Sequence, residues 1–397
     1  MNHTTTLAEI RSQSQASRLS AIEAYRAKPN ADKLLMALRQ CADQALRDLL
    51  VHLPLPKGAA LAAVGGYGRG ELYPYSDVDL LILLPHEPTA HDEAALSALV
   101  AAMWDIGLEP GCSVRTVEQC ITEARGDITV ETSLLETRWI AGSRKLTQAL
   151  HQRMTEHLDA RVFFQGKRAE MQQRHARYQD TPYSLEPNCK ESPGGLRDLQ
   201  VVLWVAKAAG LGTSWENLGR KGLATEFEVK QLKRNEDALA LIRTRLHLAA
   251  KRREDRLVFD LQHAVAQSLG LGVEKDGTLN ARAASEALMK RYYWAAKAVT
   301  QLNQILLLNI EERLNGNTQV LHPINERFAD KAGMLEVTSD DVYVNNPHAI
   351  LETFWLYEST VGISGLSART LRALYNARSL MDGKFRADPV NREMFMR

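Results

Sequence analysis

Apolar positions along the chain alternate between a helical spacing and short continuous runs, and the switches between them mark the elements. Leu34, Leu35, Leu38, Leu46, Leu49 and Leu50 recur at turn-like intervals, so residues 6–53 predict two amphipathic helices broken near Lys28-Pro29-Asn30. Two unbroken apolar runs follow, Ala60 to Val64 and Leu80 to Leu84. Their length predicts buried strands at 60–65 and 77–84, with a glycine-rich turn between them. Pro85, Pro88 and the polar stretch around Thr89 announce a helix near 91–106, and a third strand is expected at 111–117. Residues 128–180 read as helical throughout.

A Pro- and Gly-containing junction at 181–195 then opens a second helical set, expected near 195–210, 226–252, 256–270 and 280–314. After Gly316 the pattern changes to short strands around 327–337 and 341–345, followed by helices near 347–360 and 367–381. The fold class this implies is α+β: a small mixed-sheet core with flanking helices, followed by a mainly α-helical bundle domain. The divisions expected are an N-terminal helical segment (1–55), the sheet core (56–145), the helical bundle (146–320) and a small α+β segment (321–397).

The chemistry concentrates between the two apolar runs. Gly65-Gly66 closes the first, and Ser76-Asp77-Val78-Asp79 opens the second ten residues later. Side chains alternate along a strand, so Asp77 and Asp79 fall on one face, about 6–7 Å apart. Two such carboxylates can share divalent cations, and a turn without Cβ atoms lets backbone N–H groups approach a polyphosphate. The bland alternative is a polar strand edge with a glycine hairpin before it. Carboxylates at the mouth of a buried strand are costly unless paired or metal-bound, which favours a site. Arg69 could neutralise triphosphate charge or pair with Glu71 or Asp77. Ser76 could bond a phosphate oxygen or cap the strand. On the expected 111–117 strand Ser113 and Arg115 hold the inward positions, and the nearest further carboxylates are Glu109, just before it, and Glu136 on a later helix.

A second motif runs from Asn188 to Asp198. Its Gly194-Gly195 turn precedes an apolar helix and could offer N–H groups to an anion, with Lys190 and Arg197 within reach. A local Arg197–Asp198 pair with an Asn188 turn is the structural alternative. The basic run Arg243, Arg245, Lys251, Arg252, Arg253 and Arg256 reads mainly as a solvated helix face, because Glu254 and Asp255 interrupt it. Tyr292-Tyr293-Trp294 reads as bundle core, and His91-Asp92 as a helix start.

The chain has 397 residues, 45% hydrophobic and 24% charged, with a formal net charge of +1. Near-neutral charge argues against a nucleic-acid binder. Cys41, Cys112, Cys120 and Cys189 show no metal-binding spacing and fit reduced thiols, so a cytoplasmic location is expected. No apolar run reaches 18 residues and the amino terminus lacks a signal-peptide core, so no membrane association is expected.

The stretch GGYGRGELYPYSDVDLLIL resembles the nucleotidyltransferase signature of the DNA-polymerase-beta-like superfamily. More narrowly it resembles the bacterial protein-P-II uridylyltransferase/uridylyl-removing family. EPNCKESPGGLRDLQVVLW (186–204) and LHLAAKRREDRLVFDLQ (246–262) are similar to further segments of that family. The resemblance implies a nucleotidyltransferase core that moves UMP from UTP to a tyrosine hydroxyl of a P-II nitrogen-signalling protein, with two Mg²⁺ ions held by Asp77 and Asp79. It implies a loop that closes over the nucleotide and presents Asn188, Lys190 and Arg197, with Gly65, Gly66, Arg69 and Ser76 on the phosphate side. It also implies a third carboxylate, for which Glu109 and Glu136 are the candidates. An adenylyltransferase acting on glutamine synthetase, an enzyme adding nucleotides to RNA ends, and a nucleotide sensor without catalysis are the alternatives. The family continues into a hydrolase domain and two ACT domains that do not fit in the remaining length. The expectation is therefore transfer without uridylyl removal, and only a weak response to glutamine.

Overall fold

The computed structural model describes residues 6–272, 280–316 and 320–396. The two N-terminal helices span Leu7–Ala27 and Ala31–His52 and are capped as their sequences require. Thr6 forms a reciprocal capping box with Glu9, and Asn30 Oδ1 accepts from the Lys33 N–H at 2.9 Å. Leu34, Leu38, Leu46 and Leu49 form the apolar stripe, and they pack against Leu61, Leu80 and Ile82 of the sheet.

That sheet contains β1 (Ala60–Ala63), β2 (Val78–Leu84), β3 (Pro110–Thr116) and β4 (Arg138–Gly142) in the order β3-β2-β1-β4. β2 and β3 run parallel while the other pairings are antiparallel, which makes the sheet mixed. β2 is buried on both faces. Leu80, Ile82 and Leu84 join the cluster under the N-terminal helices, and Leu81 and Leu83 join a second cluster with Cys120, Ile121, Leu150 and Met154. An unbroken apolar run is the pattern such a strand must have.

Two expectations at this sheet need correction. The first strand ends at Ala63, and Gly65–Arg69 is a single helical turn rather than an open glycine turn. Residues 128–180 are not helical throughout, because β4 interrupts them and pairs with β1. Only Ile140 of β4 is buried, so the segment carries neither an apolar run nor a clear alternation.

The bundle consists of helices Ala160–Arg177, Leu196–Ala208, Trp215–Arg220, Glu226–Ala250, Phe259–Ser268 and Ala281–Asn315 around one large apolar cluster that includes Leu199, Val202, Leu239, Ile242, Leu302 and Leu306. The helix expected from 256 starts at Phe259, since Arg256 is extended and bridges to Asn188. The Trp215–Arg220 helix was not expected.

Beyond it, β5 (Leu321–Pro323), β6 (Phe328–Lys331), β7 (Met334–Val337) and β8 (Gly365–Leu366) form a second small sheet in sequence order. The strand expected at 341–345 is instead a helical turn, Val342–Asn345. Adjacent Val342 and Tyr343 are both buried, which a turn allows and an alternating strand on one core does not. Helices Ala349–Ser359 and Ala368–Ala377 match the expected pair, and two short helices, Gly383–Ala387 and Pro389–Met396, follow. The architecture is α+β.

Candidate active site

The site forms where the adjoining ends of β1 and β2, the two inner strands of the first sheet, meet the bundle. The Gly65–Arg69 turn is held in place by its own Tyr67, whose hydroxyl donates to Asp43 Oδ1 at 2.5 Å. Arg138 of β4 grips the same carboxylate through two bonds, of 2.8 and 3.0 Å. This buried network ties the N-terminal helices, the glycine turn and β4 to one another, so the turn is fixed relative to β2.

Asp79 lies within β2 opposite Gly111 of β3, and Asp77 stands just before the strand. Gly65 and Gly111 together make a cradle for the Asp79 carboxylate. A Cβ at Gly111 would come to 2.9 Å from Oδ1, and one at Gly65 to 3.3 Å from Oδ2, and Gly65 itself has φ +57°. Burial pushes the Asp79 carboxyl above the usual carboxylate range, and the charge of Asp77 adds to this, with Lys190 and Arg253 pulling partly back.

A cavity of about 420 Å³ opens over this pair, within the range of small-ligand sites. From the sheet core it is lined by Gly65, Gly66, Arg69, Ser76, Asp77 and Asp79, with Thr129, Thr132 and Ser133 on the Ile128–Leu135 helix. From the bundle come Lys167, Lys190, Arg197, Gln200, Trp204, Arg243 and Arg253. Burial lowers the basicity of Lys190, and the positive charges of Arg197 and Arg243 lower it further. An ammonium held at such a cost is stabilised by an incoming anion. Trp204 forms the centre of the cationic wall, with Lys167 at 4.6 Å, Arg197 at 5.2 Å and Arg69 at 5.6 Å from its ring.

Of the nine residues singled out from the sequence, eight line this cavity and Asn188 does not. Asn188 Oδ1 accepts from the N–H groups of Lys190 and Glu191 at 2.9 and 2.8 Å, so its carboxamide oxygen shapes the loop. Arg69 pairs with Glu71 at 2.9 Å, one of the two partners the structural alternative offered, and also with Glu136; the other offered partner, Asp77, pairs with Arg253.

The Gly194-Gly195 turn offers no free donors, since Gly194 N–H donates to Asp198 Oδ2 at 2.7 Å and Gly195 N–H to the Ser192 carbonyl at 2.8 Å. Gly194 is required by packing instead: φ is +77° and a Cβ would come to 2.1 Å from the Ala296 carbonyl oxygen. Asp198 pairs with Arg174 and His175, not with Arg197.

The candidates for a third carboxylate divide. Glu109 lines a separate, smaller cavity beside Arg18 and Tyr75. Glu136 does reach the main cavity, but its two oxygens are engaged, one by Arg69 and the other by Trp204 Nε1 at 2.6 Å. Among the described residues no group of three or more His, Cys, Asp or Glu side chains is placed to hold a metal. A carboxylate pair nevertheless suits Mg²⁺, which keeps several waters and completes its shell with substrate phosphates. The cradle around Asp79 fits that use, and Asp77 and Asp79 would be its protein ligands.

The basic run is not simply a solvated face. Arg243 is buried against the Tyr73 ring at 3.9 Å and pairs with Asp255, and Arg253 reaches Asp77. Tyr292 is core as expected, but Trp294 is exposed. Lys167, Trp204, Gln200 and the hydroxyls of the 128–135 helix were not anticipated as lining residues. Trp204 had a signal, as the closing residue of the second quoted motif. Lys167 had none, being one cation among many on the Ala160–Arg177 helix.

An acidic pair at a strand mouth, a glycine turn against it and a cationic wall facing both define a nucleotidyltransferase core, here joined to a helical bundle. Family models match in the same order along the chain: a nucleotidyltransferase domain over residues 44–135, GlnD PII-uridylyltransferase over 162–307, and the uridylyltransferase GlnD third domain over 328–397. The chain is 56% identical over 390 residues to a bifunctional uridylyltransferase/uridylyl-removing enzyme of Cupriavidus pinatubonensis, covering 98% of this chain and 44% of that protein. It is 55% identical over 393 residues to the enzyme of the same name from Bordetella avium, covering 99% and 45%. The corresponding figures for the Burkholderia lata enzyme are 53% over 393 residues, 98% and 45%. The chain belongs to the P-II uridylyltransferase family. It spans less than half the length of the curated relatives it matches. Among the described residues no helix is long and apolar enough to cross a membrane.

Proposed function

We propose that this chain transfers UMP from UTP to a tyrosine hydroxyl of a P-II type signalling protein. In that reaction the phenolic O–H bond breaks and its proton passes to solvent, the phenolic oxygen bonds to the α-phosphorus, the bond from that phosphorus to the bridging oxygen of the β-phosphate breaks, and pyrophosphate leaves. The observation that carries the proposal is that Asp77 and Asp79 line one cavity together with Lys190 and Arg197. The names of the relatives supply the substrate pair; the residues by themselves supply nucleotidyl transfer.

Bound Mg²⁺, two ions on this reading, would supply charge neutralisation and lower the pKa of a coordinated hydroxyl. Asp77 and Asp79 would hold it. Lys190 and Arg197 would bind the triphosphate, with Arg197 oriented by Gln200 at 2.8 Å and Glu191 at 3.1 Å. Ser76 and the backbone of Gly65-Gly66 border the same space. Glu136 is withheld from proton abstraction by its two bonds, so its task is to fix Arg69 and Trp204 in the wall. Positioning of the phosphates and electrostatic stabilisation then account for most of the acceleration, as is general for transfers at phosphorus.

The test is incubation with labelled UTP, Mg²⁺ and a P-II protein. Label should reach the P-II tyrosine with the wild-type chain and be lost with Asp77→Ala and with Asp79→Ala. Transfer persisting in both variants would move the reaction elsewhere, and a preference for ATP with glutamine synthetase as acceptor would overturn the substrate assignment.

A further inference from the structure

We infer that Arg253 serves two anions in turn: it holds Asp77 while the site lacks cation and nucleotide, and binds the nucleotide's phosphates once a cation claims that carboxylate. The inference rests on the nucleotidyl-transfer reading of the cavity. Arg253 Nη1 bonds Asp77 Oδ2 across 176 positions of sequence, and it lies on the bundle side of the cavity.

The backbone that carries Arg253 is clamped on both sides. Lys251 ends the preceding helix in the left-handed conformation, with φ +54°. Two residues beyond Arg253, the Asp255 carboxylate is held by Arg243 Nε at 2.6 Å and His247 Nε2 at 3.1 Å, and the Asp255 carbonyl accepts from the Cys189 N–H at 2.7 Å. The side chain itself is not clamped: it is 60% exposed and the Asp77 carboxylate 42%. A fixed base with a loose guanidinium is what a group needs in order to exchange partners without moving the fold.

The other arginines on the wall are each positioned by groups other than the proposed metal ligands. Arg69 is shared between Glu71 and Glu136, Arg243 is bound to Asp255, and Arg197 to Glu191 and Gln200. Arg253 has one ion pair among the described residues, and its partner is the carboxylate that the reaction assigns to the metal. A guanidinium and a divalent cation on one carboxylate repel each other, so cation binding at Asp77 favours release of Arg253. An ion pair this exposed is worth little, so the displacement costs little. The freed guanidinium then faces the triphosphate that arrives with the cation, and its planar fork suits phosphate oxygens.

The consequence is a pair of effects of opposite sign. Mn²⁺ binding without nucleotide, read by electron paramagnetic resonance on the full chain, should tighten about two- to five-fold in Arg253→Ala, since an exposed ion pair no longer competes. Binding of a non-hydrolysable UTP analogue in saturating Mn²⁺, read by calorimetry, should weaken about ten-fold or more, the scale of a lost charge-assisted contact. Arg253→Lys should fall between wild type and Arg253→Ala in the second measurement. In an Asp77→Asn background Arg253→Ala should no longer tighten Mn²⁺. Effects of the same sign, or no change in either affinity, overturn the inference while leaving the transferase reading intact. A wild-type chain that binds neither probe overturns both.

Discussion

At the scale of single residues, the site holds a carboxylate at some cost to the fold. Asp79 is pressed above the usual carboxylate range by burial and by Asp77, so the native state keeps its proton more tightly than the unfolded chain does. A group raised in this way contributes stability only while protonated, and that contribution falls away as pH climbs above its ordinary value of 3.8. Once ionised, the side chain opposes folding until a cation neutralises it. Asp79→Asn removes the charge and keeps the shape. The variant should melt at or slightly above the wild-type temperature in metal-free buffer, yet lose transfer by about a hundred-fold or more. Mg²⁺ should raise the melting temperature of the wild type and not of the variant, by the linkage of binding to stability. Differential scanning fluorimetry decides this, and a variant that melts well below wild type would show that Asp79 is a structural group.

At the scale of elements, the turn after the Glu226–Ala250 helix is held by one carboxylate. Burial opposes ionisation of Asp255, but the His247 bond and the Arg243 charge and bonds outweigh it and hold the carboxyl well below the usual range. A lowered value contributes stability that is fully present above the unfolded value near 3.8 and is lost as pH falls below it. Asp255→Asn leaves the buried Arg243 without its counter-charge, a loss of about 3 kcal/mol at pH 7. Urea melts of the two proteins should differ by that amount at neutrality, and the gap should narrow in acid below the unfolded value. A gap that is constant with pH would mean that packing, not charge, holds the turn. This element also shows what a sequence can and cannot reveal. β2 was legible because burial on both faces imposes an unbroken apolar run, and the Asp77–Asp79 spacing follows from the strand's own geometry. β4 was not, because it is an edge strand with one buried residue between two helices. The basic run reads as solvated because Glu254 and Asp255 interrupt it locally. Its structural meaning depends on Asp77, far away in sequence, and no local pattern encodes such a pairing. Asn188 differs from the sequence reading for the opposite reason: its carboxamide oxygen accepts from N–H groups of its own loop, and it does not line the cavity.

At the scale of the whole molecule, neither part owns the site. The sheet core brings the carboxylates and the glycine turn, whereas most of the cations come from the bundle, through three separate segments around Lys167, Lys190–Arg197 and Arg243–Arg253. Direct ties already join the halves without ligand: Trp204 to Glu136, Gln200 to Glu71 at 3.3 Å, and Arg253 to Asp77. The segment carrying β5 to β8 is fastened to the bundle through Lys331–Glu312 and Arg372–Glu228, and none of its described residues lines the cavity. Ligand binding should therefore act as a further clamp between core and bundle and leave the last segment unchanged. At about a hundred times its dissociation constant, a bound nucleotide contributes about 2.7 kcal/mol to the stability of the state that binds it. Hydrogen exchange with Mg²⁺ and a non-hydrolysable UTP analogue should slow in peptides covering 63–84 and, to a similar degree, in those covering 188–204 and 250–256. Peptides from 328–345 should exchange at the same rate with and without ligand. Protection limited to the core peptides would mean that the nucleotide touches the carboxylates alone, and the cationic wall would then have to be assigned another partner.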